Sequence, residues 1–420
     1  MRVGIVGGGI TGLALTHALA RRGVESVLFE AAARPGGLIR TRADSGRIIE
    51  LGPQRTRLVP PVRRLISELG LEDRVRLATP GPLHIWARGA LRRVPTTPRR
   101  LLSGDLLTVP GRLRAVLEPL TGPLAAEESV GRYFRRKAGR EAYESLFGPL
   151  ISATFGSDPD QMLAARSLPM ILRPLGVRRS LLRAASRWRG DAAASACTFH
   201  DGMRELPDAL AREHADRIRL ATRVIGVERA GADWRLQTRG PVSSEAVRVG
   251  RLVVTTPASE AGRLFRSAAP ELAARLRGLR YNAVCVVPLE VASTPDGFGF
   301  QVAFRAPWRT RGVTWNASIF DRPGLATAYL GGGVDPDLAE WDDDRIGRLV
   351  AREYASIHGV EARPLAVARP RLPAWDASWS ALDDLPVPDG VHLLANYRSR
   401  LGISARIREA ETLAEQLASD

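Results

Sequence analysis

Val3-Gly4-Ile5-Val6, running into Gly7-Gly8-Gly9-Ile10-Thr11-Gly12, is the stretch that decides the fold. The first four residues read as a short buried strand, and Gly7, Gly9 and Gly12 take the three glycine places of G-x-G-x-x-G. Leu13, Ala14, Leu15, Ala18 and Leu19 then offer an apolar helical face, with Gly23 after Arg21-Arg22 as its stop. Val27-Leu28-Phe29 is a second buried strand, and it ends on Glu30. Gly7 permits the tight turn, Gly9 lets the backbone approach a pyrophosphate, and Gly12 lets helix and sheet pack closely. The helix N-terminus at Ile10 and Thr11 would receive the pyrophosphate, and Glu30 a ribose diol. Alone, the glycine pattern is a common turn. With a strand before it, a helix after it and an acid closing the next strand, it predicts a dinucleotide-binding βαβ unit.

The rest of the composition sets bounds. The chain has 420 residues, enough for two or three domains, and its 45% hydrophobic and 25% charged content is that of a soluble globular protein. No apolar run approaches the length of a membrane-spanning helix. The first strand begins at once, so no secretory leader is expected and the predicted compartment is the cytoplasm. Cys197 and Cys285 are too few for a disulfide framework or a cysteine metal site, and they read as two small buried residues. The net charge is +16, and Lys137 is the only lysine, so 60 of the 61 basic residues are arginine. That skew reflects codon bias as much as a selected surface. Arginine favours carboxylate substrates and anionic lipid, whereas no motif here points to nucleic acid. No metal site is expected.

After Glu30 comes Ala31-Ala32-Ala33-Arg34-Pro35-Gly36-Gly37, and later Glu50-Leu51-Gly52-Pro53-Gln54. Arg34 can meet a phosphate, and Gly36-Gly37 permits close backbone approach. This extends the phosphate cradle beyond what a simple nicotinamide site needs. On these residues the chain resembles the flavoprotein superfamily of amine oxidases, phytoene desaturases and protoporphyrinogen oxidases, whose N-terminal pattern is the glycine fingerprint, an acid, Arg-x-Gly-Gly and Gly-Pro.

The resemblance implies non-covalent FAD. It places the dinucleotide against Gly7, Gly9, Ile10, Thr11, Gly12, Glu30, Ala31, Arg34, Gly36, Gly37, Gly52, Pro53 and Gln54. It also implies an adenine clamp at the backbone of Val224, in Arg223-Val224-Ile225-Gly226-Val227, and a return to the dinucleotide at Thr256-Pro257. At the C-terminus, Asn396 and the helix after Gly402-Ile403-Ser404 would face the flavin ring, because a helix N-terminus stabilises an anionic reduced flavin.

The fold class implied is mixed α/β and α+β. A Rossmann-type FAD-binding domain is assembled from residues 1–60, 195–265 and 380–420. A substrate domain with an antiparallel or mixed sheet comprises 61–97 and 266–379. An inserted helical domain covers 98–194. In that insert, Leu101-Leu102, Leu106-Leu107, Leu172, Leu175 and Leu181-Leu182 sit among many arginines. Two readings stay open there: a core with a solvated basic face, or an amphipathic surface that meets anionic membrane or lines an apolar channel.

Within the superfamily, residues Glu128 to Gly139, Pro149 to Leu163, Phe199 to Pro207 and Asn396 to Ile403 are similar to the protoporphyrinogen oxidase branch. Many amine oxidases use a lysine beside flavin N5, and a lone lysine in a helical stretch argues against that arrangement. The activity implied is removal of six electrons from a porphyrinogen, protoporphyrinogen IX or coproporphyrinogen III, in haem biosynthesis. The hydride would pass to flavin N5, with O2 as the reoxidant. No catalytic acid or base is assigned.

Two departures concern the substrate. Leu83 stands where the branch usually has an arginine for a propionate, with Arg55, Arg88 and Arg173 as candidate replacements alongside His84 and Arg57. Ala405-Arg406-Ile407 also replaces Asp-Cys-Ile. Another FAD oxidoreductase of the superfamily, and a flavin- or tetrapyrrole-binding protein without turnover, are the alternatives. Peripheral membrane contact and a homodimer complete the expected partners.

Overall fold

The computed structural model describes residues 2–125, 127–172, 180–181, 195–241, 244–398 and 402–419. They fall into two compact units: Met1–Leu77 with Ala194–Leu279 and Trp379–Asp420, and Ala78–Ala193 with Arg280–Ser378.

In the first unit a five-stranded sheet runs in the order Ile218–Arg219, Ser26–Phe29, Val3–Val6, Arg251–Val254, Val391–Leu393, and every pairing is parallel. Parallel strands need crossovers that cover the sheet faces, so these strands are near-continuous apolar runs. Val3–Val6, at the centre, is buried at every residue. The helix Ile10–Ala20 departs from the single apolar face expected of it, since Ile10 to Leu19 are all buried, Thr16 and His17 included. Its apolar side chains share one core with the strands and with Ile407, Ala410, Leu413 and Leu417 of the helix Ile403–Ser419. A helix enclosed on all sides has no solvent face to mark its period. A three-stranded antiparallel sheet (Arg223–Ala230, Asp233–Arg239, Ser244–Val249) and a hairpin (Thr41–Asp44 with Arg47–Glu50) complete the frame of the site.

The second unit is built on a mixed sheet ordered 362–364, 281–291, 325–331, 310–314, 299–302, 83–87, 90–93. All its neighbours are antiparallel except Gly299–Val302 with Leu83–Ala87. The strand Thr310–Thr314 ends two residues before a helical turn. Asn316–Phe320 turns helical and closes on Asp321 in the left-handed region, at φ 48°. Helices Pro98–Ser103, Val109–Val116 and Val130–Ala138 share an apolar cluster with Ile85 and Ala87 of the hairpin strand. Among the described residues, no helix is long and apolar enough to cross a membrane.

Candidate functional site

The glycine turn sits at the C-terminal end of Val3–Val6, where open parallel sheets bind their ligands. Gly7 has φ 114°, a conformation closed to other residues at low cost. Its N–H donates to the Phe29 carbonyl at 2.9 Å. A Cβ at position 12 would run into the Gly7 carbonyl oxygen, whereas a Cβ at position 9 would meet nothing within 4 Å. Gly12 is therefore required by the protein's own packing. Gly9 is not, and the space beside it is free for a ligand. The N–H groups of Ile10, Thr11 and Gly12 open the helix and have no partner within it.

Glu30 carries the next layer. Its Oε2 accepts the Gly8 N–H at 2.6 Å and its Oε1 the Ala32 N–H at 2.7 Å, so the carboxylate is aimed at the turn before any ribose is considered. Gly8 was only a spacer in the sequence pattern, yet a Cβ there would lie 2.7 Å from the Glu30 Cβ. The Arg34-to-Gly37 loop is stitched to the same turn. Gly36 donates to the Gly8 carbonyl at 2.8 Å, and Gly36 pairs with Gly9 as an isolated parallel bridge. Ala31 and Arg34 are exposed.

Residues distant in sequence close the cradle. Thr255 was not singled out from sequence. Its hydroxyl donates to the Gly7 carbonyl at 2.9 Å, with the Val6 carbonyl at 3.1 Å. The Oγ1 of Thr256, the next residue, is buried without a hydrogen-bond partner. Val224 is buried and pairs with Thr238 just before a bulge, and Thr222 donates to the Glu30 carbonyl at 2.8 Å. Gly52 and Gln54 are buried and Pro53 half-buried, and Gln54 Nε2 donates to the Gly52 carbonyl at 3.2 Å. Glu50, also missed, is a buried carboxylate that accepts the Thr41 hydroxyl and the Met203 N–H, each at 2.7 Å. It joins the Gly52 loop to the Phe199-to-Pro207 stretch. The final helix begins at Ile403, with Gly402 at φ 105° before it and Ser404 in its first turn. Asn396 is half-buried beyond the last strand.

All these residues belong to the first unit. An orphaned hydroxyl, free amides at a helix start and open space beside Gly9 fit a bound dinucleotide diphosphate.

The proposed carboxylate partners are placed differently. Arg55 is exposed after Gln54. Arg88 forms the hairpin tip with Gly89, at φ 55°, and donates to the Asp105 carbonyl. Arg173 lies outside the described residues. Cys197 is fully buried, and burial pushes its thiol up to about 11. Among the described residues, no group of three His, Cys, Asp or Glu side chains could hold a metal ion.

A family model of flavin containing amine oxidoreductases matches residues 10–383. The chain belongs to that family. A dinucleotide turn in a flavin-containing family makes its cofactor FAD and the protein a flavin-dependent oxidoreductase. Among individual proteins, the chain is 25% identical to protoporphyrinogen oxidase 2 of Arabidopsis thaliana, over 97% of this chain and 91% of that protein. It is 24% identical to the coproporphyrinogen III oxidase of Bacillus subtilis, over 86% and 83%. A crystal structure from Exiguobacterium sp. 255-15, provisionally named a protoporphyrinogen oxidase, superposes with TM-score 0.80 at 23% identity, covering 99% of this chain and 98% of that one. That likeness establishes the shared fold of this family.

Proposed function

We propose that this flavoenzyme oxidises a porphyrinogen, protoporphyrinogen IX or coproporphyrinogen III, to the porphyrin in haem biosynthesis, with O2 as the electron acceptor. The observation that carries the reading is the extent of the likeness. The Arabidopsis protein matches over 97% of this chain, so the similarity runs through the helical insert as well as the dinucleotide turn. Bound FAD supplies the two-electron acceptor for each of three oxidations, and the hard chemistry is the cofactor's.

The protein's part is to hold and orient. Glu30 would take the ribose hydroxyls, while the amides of Ile10 to Gly12 and the Arg34 guanidinium would take the diphosphate. Val224 would meet the adenine, and the Thr256 hydroxyl would gain the partner it lacks. The helix start at Ile403-Ser404 would offer its positive end to the reduced flavin. Lys137 supports this reading over amine oxidation. The only lysine of the chain is fully buried, with its Nζ 3.3 Å from Glu118 Oε1. It is committed to an internal ion pair.

Adding each porphyrinogen anaerobically to the FAD-loaded protein tests the proposal. Loss of the yellow flavin absorbance, followed on aeration by porphyrin fluorescence, is expected. Bleaching by an amine or a polyene, and by neither porphyrinogen, would assign the enzyme to another branch.

A further inference from the structure

His17 and His214 lie 197 residues apart and share a buried hydrogen bond, with His17 Nδ1 3.0 Å from His214 Nε2. His17 is 5% exposed and His214 8%. On its other side, His17 Nε2 stands 2.9 Å from Glu68 Oε2. The hydrogens follow from the carboxylate, which only accepts. His17 carries its hydrogen on Nε2, its Nδ1 accepts, and His214 Nε2–H donates. The charged neighbours are Arg21 on the same helix, 3.5 Å from Glu68, and Glu213, Asp216 and Arg217 beside His214. The final helix, Ile403–Ser419, also packs on Ile10–Ala20, and it pairs Glu415 with Arg22 and Glu411 with Arg64.

The bond joins two helices at the ends that lie away from the glycine turn. His17 is in the last turn of Ile10–Ala20, and His214 caps the C-terminus of Glu205–Glu213. Both helices begin at the cradle. The first opens at the glycine turn, about 10 Å from His17 at 1.5 Å per residue. The second opens beside Met203, whose N–H Glu50 accepts, and its Pro207 Cγ lies 3.4 Å from where a Cβ of Gly36 would stand. Ile10 to Leu19 are all buried, so a displacement at His17 reaches the amides of Ile10 to Gly12 through a close-packed helix.

The pair can hold one added proton and not two. With one, His17 donates from both nitrogens, to Glu68 and to His214, whose hydrogen then sits on Nδ1. With two, each of the facing nitrogens carries a hydrogen and two cations meet in a buried contact, so the bond is broken. We propose that this pair is a proton-sensitive anchor of the helix that follows the glycine turn, and that uptake of the second proton parts the two helices and weakens FAD binding. The proposal rests on the reading that the helix start holds the diphosphate. Burial first, and neighbouring His17 second, hold the His214 imidazole below its ordinary 6.5. The contact is therefore complete above that value and is lost as the pH falls below it. The coupling is reciprocal, so release of FAD draws a proton in.

Acid titration of the full-length, FAD-loaded protein tests it, with FAD release followed by flavin fluorescence and folding by far-UV circular dichroism. From about pH 6.5 to about pH 5.5 the dissociation constant should rise by up to about tenfold, the limit for one proton, while the chain stays folded. His214→Gln keeps an amide donor for His17 Nδ1 but does not titrate, so its constant should change by less than about twofold over that range. A pH-indicator dye in lightly buffered solution should record about one proton taken up per FAD released by the wild type. A wild-type constant independent of pH, no proton uptake, an equal pH dependence in His214→Gln, or FAD loss that only follows unfolding would each overturn the inference. Gly9→Ala should weaken FAD by the same factor at every pH, and unchanged affinity in that variant would overturn the diphosphate reading instead.

Discussion

The Glu30 carboxylate accepts the Gly8 backbone N–H at 2.6 Å, tying the acid that ends the second strand to the middle of the glycine turn. One side chain thus shapes the turn and faces the ligand. In Glu30→Ala the Gly8 and Ala32 amides lose their acceptor, and FAD should bind at least about tenfold more weakly, the loss expected for hydrogen bonds to a charged group. Glu30→Gln keeps one acceptor oxygen and should fall between. Fluorescence titration of the apoprotein with FAD gives both constants.

Two glycines of the turn should separate folding from binding. Gly12→Ala drives a methyl into the Gly7 carbonyl and should cost about 1–3 kcal/mol of stability. Gly9→Ala has free space for its methyl, so the apoprotein should melt as wild type does while FAD affinity falls. Denaturant unfolding of both apoproteins, with FAD titration alongside, reads the contrast.

Lys137 should matter for stability and not for flavin chemistry. Lys137→Met leaves the Glu118 carboxylate buried beside a methionine, and breaking such a pair costs roughly 3 kcal/mol. The expected result is a lower melting temperature with an unchanged flavin spectrum and rate of flavin reduction. Replacing Glu118 by leucine in the same chain should restore part of the stability.

His358 sets an acid limit. Burial pulls its imidazole down from 6.5 to about 4, against Tyr354, Trp315 and Phe300. The unfolded chain then binds the proton more readily than the fold does. The contribution is complete above pH 6.5 and is lost as the pH falls towards 4. His214 acts in the same direction, lowered by its own burial first and by neighbouring His17 second. Melting temperature should therefore drop through this window, and His358→Leu should flatten part of the slope.

The glycine turn was legible in the sequence because it is local: three glycines, two strands and an acid within thirty residues. The partners that hold it were not. Thr255 lies 248 residues from Gly7, and Glu50 lies 153 residues from Met203, so no window of sequence brings them together. Gly8 was hidden for another reason: the motif leaves its own place unspecified, although its neighbour across the turn is the Glu30 side chain. In the insert, the leucines could be counted but not sorted. Leu106 and Leu107 are buried while Leu113 and Leu120 are exposed, and only the packing of Gly111 and Ala115 decides which side turns outward. The helix Ile10–Ala20 lies where the sequence places it, with Leu13, Ala14, Leu15, Ala18 and Leu19 buried as read, and only the burial of its other side, at Thr16 and His17, needed the fold.

The most direct measurement of the central claim is anaerobic flavin reduction by protoporphyrinogen IX and coproporphyrinogen III, followed at the flavin absorbance maximum. Stoichiometric bleaching by at least one porphyrinogen, with recovery of colour and appearance of porphyrin fluorescence on admitting O2, is the predicted result. A fully FAD-loaded protein that neither porphyrinogen bleaches would contradict the account.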